Sequence, residues 1–171
     1  MKKIIFLLMF TFSFSIYSYA DDNTWITLGY SYYLPEESGA KAPLGPVSLI
    51  VGGQIMDWVA VDLGVSYLWD MKNKNSITDI NTMTVKLHAV LQPKIETDMF
   101  YVLPYLGIGP QASANNTDYA NNIFSYGFST KIGVRFMEDG FILGVGAEYM
   151  YNPIEVKYND TVHKYNGSGF L

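Results

Sequence analysis

The chain contains no cysteine and only two histidines among its 171 residues. Without cysteine it has no disulfide framework and no lipidated cysteine, and two histidines are too few for a zinc site of the usual kind. After residue 20, no apolar run approaches the roughly 20 residues that a transmembrane helix needs. The glycines alternate within predicted strands and form no phosphate-binding loop. These absences exclude a disulfide-rich scaffold, a zinc enzyme, a helical membrane protein and a nucleotide-binding fold.

The first 20 residues have the three parts of a secretory signal peptide. Residues 1–3 are a basic start, residues 4–16 are apolar apart from threonine and serine, and Ser18 and Ala20 supply small residues before two aspartates. The apolar stretch is too short to span a bilayer comfortably. We therefore expect cleavage after Ala20 and a mature domain of residues 21–171.

The charge and the aromatic content of that domain limit the classes of partner that it can bind. Removal of the two lysines in the leader leaves nine basic and 16 acidic residues, a net charge of −7. This charge argues against nucleic acid and against simple attraction to anionic head groups. The chain has 14 tyrosines and 10 phenylalanines, a content typical of a surface where apolar material meets water.

The segment 58–70 shows the clearest pattern in the chain. Its odd positions from Val59 to Trp69 are apolar or aromatic, and most of its even positions from Ala60 to Asp70 are small or polar. Successive side chains of a strand point to opposite faces, so the pattern predicts a strand with one apolar and one polar face. A soluble barrel buries the apolar face, whereas a membrane barrel shows it to lipid.

The same alternation recurs about eight times, which predicts an all-β fold. The predicted strands are about 24–34, 47–55, 58–70, 79–92, 98–111, 122–136, 141–151 and a weak one from about 161. Their lengths approach the roughly 9–11 residues of a tilted membrane strand. We therefore predict an eight-stranded antiparallel up-and-down transmembrane β-barrel.

The connections between these strands alternate in length. The segments 35–46, 71–78, 112–121 and 152–160 are long, while 56–57, 93–96 and 137–140 are short. Membrane barrels have short periplasmic turns and longer outer loops, so an N-terminus on the periplasmic side explains the order. Aromatics are expected in two girdles, with Phe136 and Phe141 beside an inner turn and Trp69 and Tyr151 toward the outer loops.

Four glycine-containing stretches, residues 104–109, 127–136, 144–149 and 166–170, carry a family likeness. Through them the chain resembles the small OmpA/OmpX-type outer-membrane β-barrel family over residues 24–171. The resemblance implies an outer-membrane location, contact with lipid, insertion by the barrel-assembly machinery and a monomeric state. Family members usually end in an aromatic residue, whereas this sequence ends at Leu171. We therefore expect either a truncated last strand or an unusual closure.

Charged residues on the polar faces form the candidate site. They are predicted to lie in the lumen, which side chains roughly fill in an eight-stranded barrel. This lumen charge cluster comprises Asp62, Lys86, His88, Lys131, Arg135 and Glu148. Lys131 and Arg135 share a face of the sixth strand and Glu148 lies on the seventh, so cross-strand pairing is expected. The pairs form either a structural plug or a gate controlled by a salt bridge, and His88 is a candidate pH sensor.

A catalytic role is not expected, although some barrels that resemble this family modify lipid A. The only candidate near an outer loop is His163, with Asp160, Thr161 and Ser168 nearby in sequence. These residues match no specific motif, and sequence cannot supply the geometry of a nucleophile and its base. The acidic pairs 36–37 and 138–139 lack the ligand spacing of a calcium loop. No catalytic residue, metal or cofactor is predicted.

Three functions are compatible with the sequence. The first is an outer-membrane barrel with a structural role, or one that binds an extracellular ligand through loops carrying Glu36, Glu37, Lys72, Lys74 and Tyr119. The second is a small gated, porin-like channel, whose conductance would change on Glu148→Ala or Arg135→Ala. The third is a secreted soluble calycin-like barrel, in which apolar side chains face inward around a small ligand.

Overall fold

The computed structural model describes residues 14–20, 23–35, 45–71, 80–117, 123–138, 140–158, 161–166 and 168–171. Every regular element in these ranges is a β-strand. These same ranges contain no helix with the length and apolar character needed to cross a membrane. The strands are β1 (Phe14–Ala20), β2 (Thr24–Tyr30), β3 (Leu34–Pro35), β4 (Val47–Met56), β5 (Val59–Met71), β6 (Ile80–Leu91), β7 (Ile95–Glu96), β8 (Tyr101–Thr117), β9 (Ile123–Glu138), β10 (Phe141–Tyr151), β11 (Pro153–Tyr158), β12 (Thr161–Asn166) and β13 (Gly169–Phe170).

Eight antiparallel up-and-down strands form one curled sheet, as the sequence predicts. Its order is β2, β4, β5, β6, β8, β9, β10 and β13, and each strand pairs with the next. The strand β13 then pairs with β3, which continues β2 after a short interruption at residues 31–33. The first and last strands of the barrel therefore meet where β13 pairs with β3.

The alternating side chains of β6 show which face of the sheet is inside. Lys86 and His88 are buried, while Val85 and Leu87 are exposed. Polar residues inside and apolar residues outside are the arrangement of a membrane barrel. The soluble calycin-like alternative requires apolar residues inside, so this pattern contradicts it.

Short turns join the strands at one end of the barrel, and the aromatic pairs follow the predicted girdles. Gly140, in the turn before β10, has φ = 75°, a left-handed conformation that glycine adopts without strain. Near this turn end, the rings of Phe100 and Phe136 meet edge to face with centroids 5.8 Å apart. Toward the opposite end, where the long connections are, Phe128 stacks on Tyr151 at 5.4 Å.

The strand β8 is longer than predicted. Residues 112–117, predicted as part of a loop, continue the strand and pair with β6 and β9. Ser113 and Asn115 face the lumen, where Ser113 hydrogen-bonds Thr84 and Asn115 accepts from Thr82. A polar, asparagine-rich segment is therefore stable as a strand here because cross-strand polar pairs hold it.

The region after β10 also differs from prediction. Residues 153–158, predicted as part of a loop, form β11, which pairs with β12 in a separate two-stranded hairpin. The predicted weak eighth strand from about 161 is wrong in position, because barrel pairing begins only at β13. In sequence, Ile154, Val156 and Tyr158 alternate with charged residues, which favours an extended hairpin over a loop.

Residues of the predicted signal peptide take part in the sheet. Residues 14–20 form β1, which pairs with β2, and residues 1–13 lie outside the described ranges. Cleavage after Ala20 stays a prediction, as does the division of the chain at that point. The proposed loop residues Glu36, Glu37, Lys72, Lys74 and Tyr119 lie outside the described residues.

Candidate functional site

Asp62 is the centre of the lumen. It projects from β5 and is fully buried. One carboxylate oxygen accepts a hydrogen bond from the indole Nε1 of Trp25 at 3.0 Å. The other accepts from both Lys131 and Arg135 on β9. Two cations on one carboxylate offset the cost of burying its charge, since buried charges are stable only when paired and hydrogen-bonded.

Glycine at position 52 makes room for the contact between Trp25 and Asp62. Gly52 lies between them in the sheet, as the register partner of both residues. A Cβ atom at this position would overlap the indole of Trp25 and the carboxylate of Asp62. A side chain at position 52 would therefore force Trp25 and Asp62 apart.

Aromatic rings enclose the guanidinium group of Arg135. Its Cζ lies 4.9 Å from the ring centroid of Trp25 and 4.6 Å from that of Tyr105. Its Nη1 donates to the side-chain oxygen of Gln92. Guanidinium groups bind carboxylates and stack on aromatic faces at once, so Arg135 is held on several sides.

A second group of charges lies across the lumen, at mid-height. Lys86 on β6 donates to Glu148 on β10 at 2.8 Å, although two strands lie between them in the sheet. His88 has its Nε2 3.8 Å from Glu148 and 2.7 Å from the hydroxyl of Ser129. The ion pair therefore ties opposite walls of the barrel together.

Apolar side chains fill the lumen at the turn end. They form one cluster with the indole of Trp25, directly below the Asp62 group. The members of this apolar floor, all nearly or fully buried, are Trp25, Ala60, Val90, Leu103, Met137 and Ile142. At this level the lumen is therefore lined mainly by apolar side chains, in contrast to the charged group above it.

Uncharged polar groups fill the lumen toward the long connections. Thr82 donates to Asn115 at 2.9 Å, and Asn115 donates to Ser125 at 3.1 Å. Ser125 donates to Asn152 at 2.7 Å, and the backbone N–H of Asn152 donates to Ser168 at 3.0 Å. This chain of hydrogen bonds runs around the wall and satisfies the buried groups without charge.

One part of the lumen is less well filled. Two cavities share a lining of Ser31, Ser48, Ile50, Lys131 and Glu148, and the second extends to Arg135 and Ile142. The first three of these residues lie near or on the first two barrel strands, where the sheet meets its last strand. The lumen is therefore not completely filled beside these strands.

The structure places all six predicted lumen residues inside the barrel, but two of the expected pairings are wrong. Glu148 is the register partner of Lys131 across β9 and β10, yet its ion pair is with Lys86. Lys131 and Arg135 pair with Asp62 instead. In a narrow barrel, side chains reach across the lumen as easily as along the wall, and the fully enclosed Asp62 requires both cations.

Sequence reasoning missed four members of the site: Trp25, Tyr105, Gln92 and Ser129. Trp25, Tyr105 and Ser129 lie on the lumen face of their strands by the same two-residue alternation that marks the charged residues, and Gln92 continues this alternation directly after the end of β6. Trp25, for example, shares its face with Thr27 and Gly29. The alternation therefore identifies these side chains as lumen-facing, but it does not show which neutral side chains contact the charged ones.

Most of the residues considered for catalysis lie outside the described part of the chain. The side chains of Thr161 and His163 and the whole of Asp160 lie outside them, and Ser168 is buried with its hydroxyl accepting from Asn152. Within the part of the chain described, no group of three histidine or acidic residues is placed to hold a metal ion.

The sequence matches a family described as the outer membrane protein beta-barrel domain, over residues 4–168. No curated protein matches the chain. No solved structure matches it either.

Proposed function

Because the chain belongs to the outer membrane protein beta-barrel domain family, we propose that it serves as a sealed barrel with a structural or surface-interaction role. Membership of this family implies an outer-membrane location. The proposal adds that the lumen is a plug and that any contact with other molecules is made through the outer loops. We also propose that the protein is a monomer, inserted by the barrel-assembly machinery.

One observation supports the proposal: side chains occupy the lumen at successive levels. The apolar floor closes the turn end, the Asp62 group lies above it, and the Lys86–Glu148 pair crosses the middle. An eight-stranded barrel encloses a space that side chains roughly fill, so such layers leave no wide aqueous path. No catalytic step is part of the proposal.

Recording of ion currents across a planar lipid bilayer tests the proposal. The purified protein is expected to give no regular conductance steps at neutral pH and moderate salt. The variant Leu103→Gly, which opens the apolar floor, is the matched comparison because Leu103 is fully buried in that layer. Regular, reproducible steps from the unmodified protein contradict the sealed lumen.

A small gated channel is the second candidate, and one observation favours it. Both Lys86 and Glu148 line the first of the two lumen cavities, so opening of this pair would enlarge an existing space. In this case Glu148→Ala gives conductance that the unmodified protein lacks, and Arg135→Ala gives it as well. Absence of current in both variants, with the barrel still folded, argues against gating.

A further inference from the structure

The positive and negative charges of the lumen are unequal at the Asp62 group. Among the described residues, Glu148 is paired with the single cation Lys86, at 2.8 Å. Asp62 is paired with two cations, Lys131 and Arg135, so this group carries one excess positive charge. A buried charge is stable only when it is compensated, so the excess favours a negative charge close to the two cations.

The histidine of the lumen does not supply that negative charge. His88 has its Nε2 2.7 Å from the hydroxyl of Ser129 and 3.8 Å from Glu148. A histidine is either neutral or positive, so a proton on His88 would only add to the positive excess. The counter-charge therefore has to come from outside the lumen residues that the structure describes.

Lys131 and Arg135 both have N–H groups to spare. In the described part of the chain, Lys131 donates to Asp62 alone, although an ammonium group has three N–H donors. Arg135 donates to Asp62 and to the side-chain oxygen of Gln92, and a guanidinium group has five N–H donors. The two aromatic rings beside Arg135 attract it but carry no net charge. Both cations can therefore donate to one further acceptor.

The second of the two lumen cavities lies against these donors. Lys131 and Arg135 both line it, and each residue is only 6% exposed. The other polar residues of its lining are Thr27, Ser31, Ser48, Tyr105 and Glu148. Four of these carry hydroxyl groups, which can donate to an anion. The carboxylate of Glu148 repels an anion, but its charge is already paired, and Asp62 lines the first cavity and not the second.

The size of the second cavity limits what it can hold. Its volume is about 70 Å³. One water-sized sphere needs roughly 10–15 Å³, whereas a pocket for a drug-sized ligand has roughly 300–1,000 Å³. The cavity therefore has room for a monatomic anion, with or without water, and not for a larger organic acid.

We propose that the second lumen cavity is a binding site for one small monovalent anion of the chloride and bromide class. The anion lies beside Lys131 and Arg135 and neutralises the excess charge of the Asp62 group. The hydroxyl groups of Thr27, Ser31 and Ser48 supply further donors. The site does not depend on the sealed-barrel function proposed above, because the charges and the cavity are the same whether or not the lumen conducts.

Urea unfolding in lipid vesicles, with chloride exchanged for gluconate at constant ionic strength, tests whether the folded barrel binds the anion. A ligand that binds only the folded state stabilises it by an amount that grows with the logarithm of its concentration. The urea midpoint is therefore expected to rise with chloride, and bromide is expected to act in the same way. Gluconate has six carbons and is too large for the cavity. Equal midpoints in chloride and gluconate overturn the proposal.

Three variants show whether the response to chloride comes from this cavity. Lys131→Met removes the excess charge but leaves Arg135 on Asp62, and its midpoint is expected to be independent of chloride. Lys94→Met is the matched control, because it removes the same charge from an exposed residue near the turn end and should keep the full response. Ser48→Leu fills the cavity without changing any charge and is expected to lose the response. Responses of Lys131→Met or Ser48→Leu as large as that of Lys94→Met overturn the proposal.

Bromide provides a direct location of the site, because its anomalous X-ray scattering marks its position in a crystal. In crystals of the unmodified protein grown with bromide, a strong anomalous peak is expected in the second cavity beside Lys131 and Arg135. Crystals of Lys131→Met grown in the same way are expected to lack this peak. Peaks at the outer surface alone, or a cavity peak of equal height in Lys131→Met, would show an adventitious ion only and overturn the proposal.

Discussion

At the scale of single residues, Asp62 determines how the lumen is organised. It is fully buried and accepts hydrogen bonds from Trp25, Lys131 and Arg135. Trp25 comes from β2 and the two cations come from β9, so the carboxylate on β5 connects strands that are not neighbours in the sheet. Removing its charge leaves two cations without their partner in the interior, which is far more costly than losing a surface ion pair.

Replacing Asp62 by asparagine is expected to lower the free energy of unfolding by about 3–5 kcal/mol, the cost of breaking a buried ion pair. The variant keeps the shape of the side chain but leaves Lys131 and Arg135 uncompensated. Urea unfolding in lipid vesicles, followed by tryptophan fluorescence, measures the change. Asp57→Asn, at an exposed turn residue, is the control and is expected to change little. Equal stability of the two variants would show that the Asp62 pairs contribute nothing.

Two adjacent glycines give a matched test of packing around Asp62. Gly52→Ala is expected to destabilise the barrel by roughly 1–3 kcal/mol, because its methyl group overlaps Trp25 and Asp62. Gly53→Ala meets only ordinary contacts, with the nearest atom at 3.5 Å, and should be close to neutral. The same urea unfolding compares them. A Gly53→Ala variant as unstable as Gly52→Ala would mean that glycine is needed for the strand and not for the cluster.

At the scale of elements, apolar and polar residues alternate along each strand, and this alternation determines which side chains face lipid and which face the lumen. The boundaries of β4, β5, β6 and β10 lie within one or two residues of the prediction, because the two-residue pattern is strong there. The pattern fails where the polar face dominates, as at residues 112–117 of β8. In that segment serine and asparagine are stable in a strand because they form hydrogen bonds inside the lumen. In isolation, the same residues indicate a loop.

A charge placed on the lipid face tests the orientation of β6. Leu87→Arg, near mid-strand, is expected to lower the free energy of unfolding in lipid by about 2–4 kcal/mol. Ile95→Arg, in β7 near the turn end, is the control, because the cost falls to roughly 0–1 kcal/mol near the interface. The two side chains are equally exposed, at 49% and 51%, so depth in the membrane is the main difference. Equal costs at both positions would contradict the assigned orientation.

The ion pairs of the lumen were predictable only in part. Periodicity along each strand predicts Lys86, Lys131, Arg135 and Glu148 inside; in the structure the first three are buried and Glu148 is half-buried. Periodicity carries no information on which charge meets which across a barrel, so the pairing of Glu148 with Lys86 required the closed geometry.

At the scale of the whole molecule, the distribution of polar and apolar side chains is inverted relative to a soluble protein. Leucine, valine, isoleucine and aromatic residues cover the outside, while an ion-pair network and an apolar floor fill the inside. A lipid environment is the physical setting in which such a surface is stable, because large apolar patches in water promote association. The curled sheet, with its apolar outer face, is thus a consequence of one alternating pattern.

Electrophoresis of the membrane fraction, with and without boiling, tests this central claim most directly. The unboiled protein, extracted in mild detergent, is expected to keep its barrel and to migrate differently from the boiled, unfolded chain. The expected difference follows from the extensive strand pairing of the curled sheet and the ion pairs that cross the lumen. Protein recovered in the soluble periplasmic fraction, with the same mobility before and after boiling, would contradict a membrane-embedded barrel.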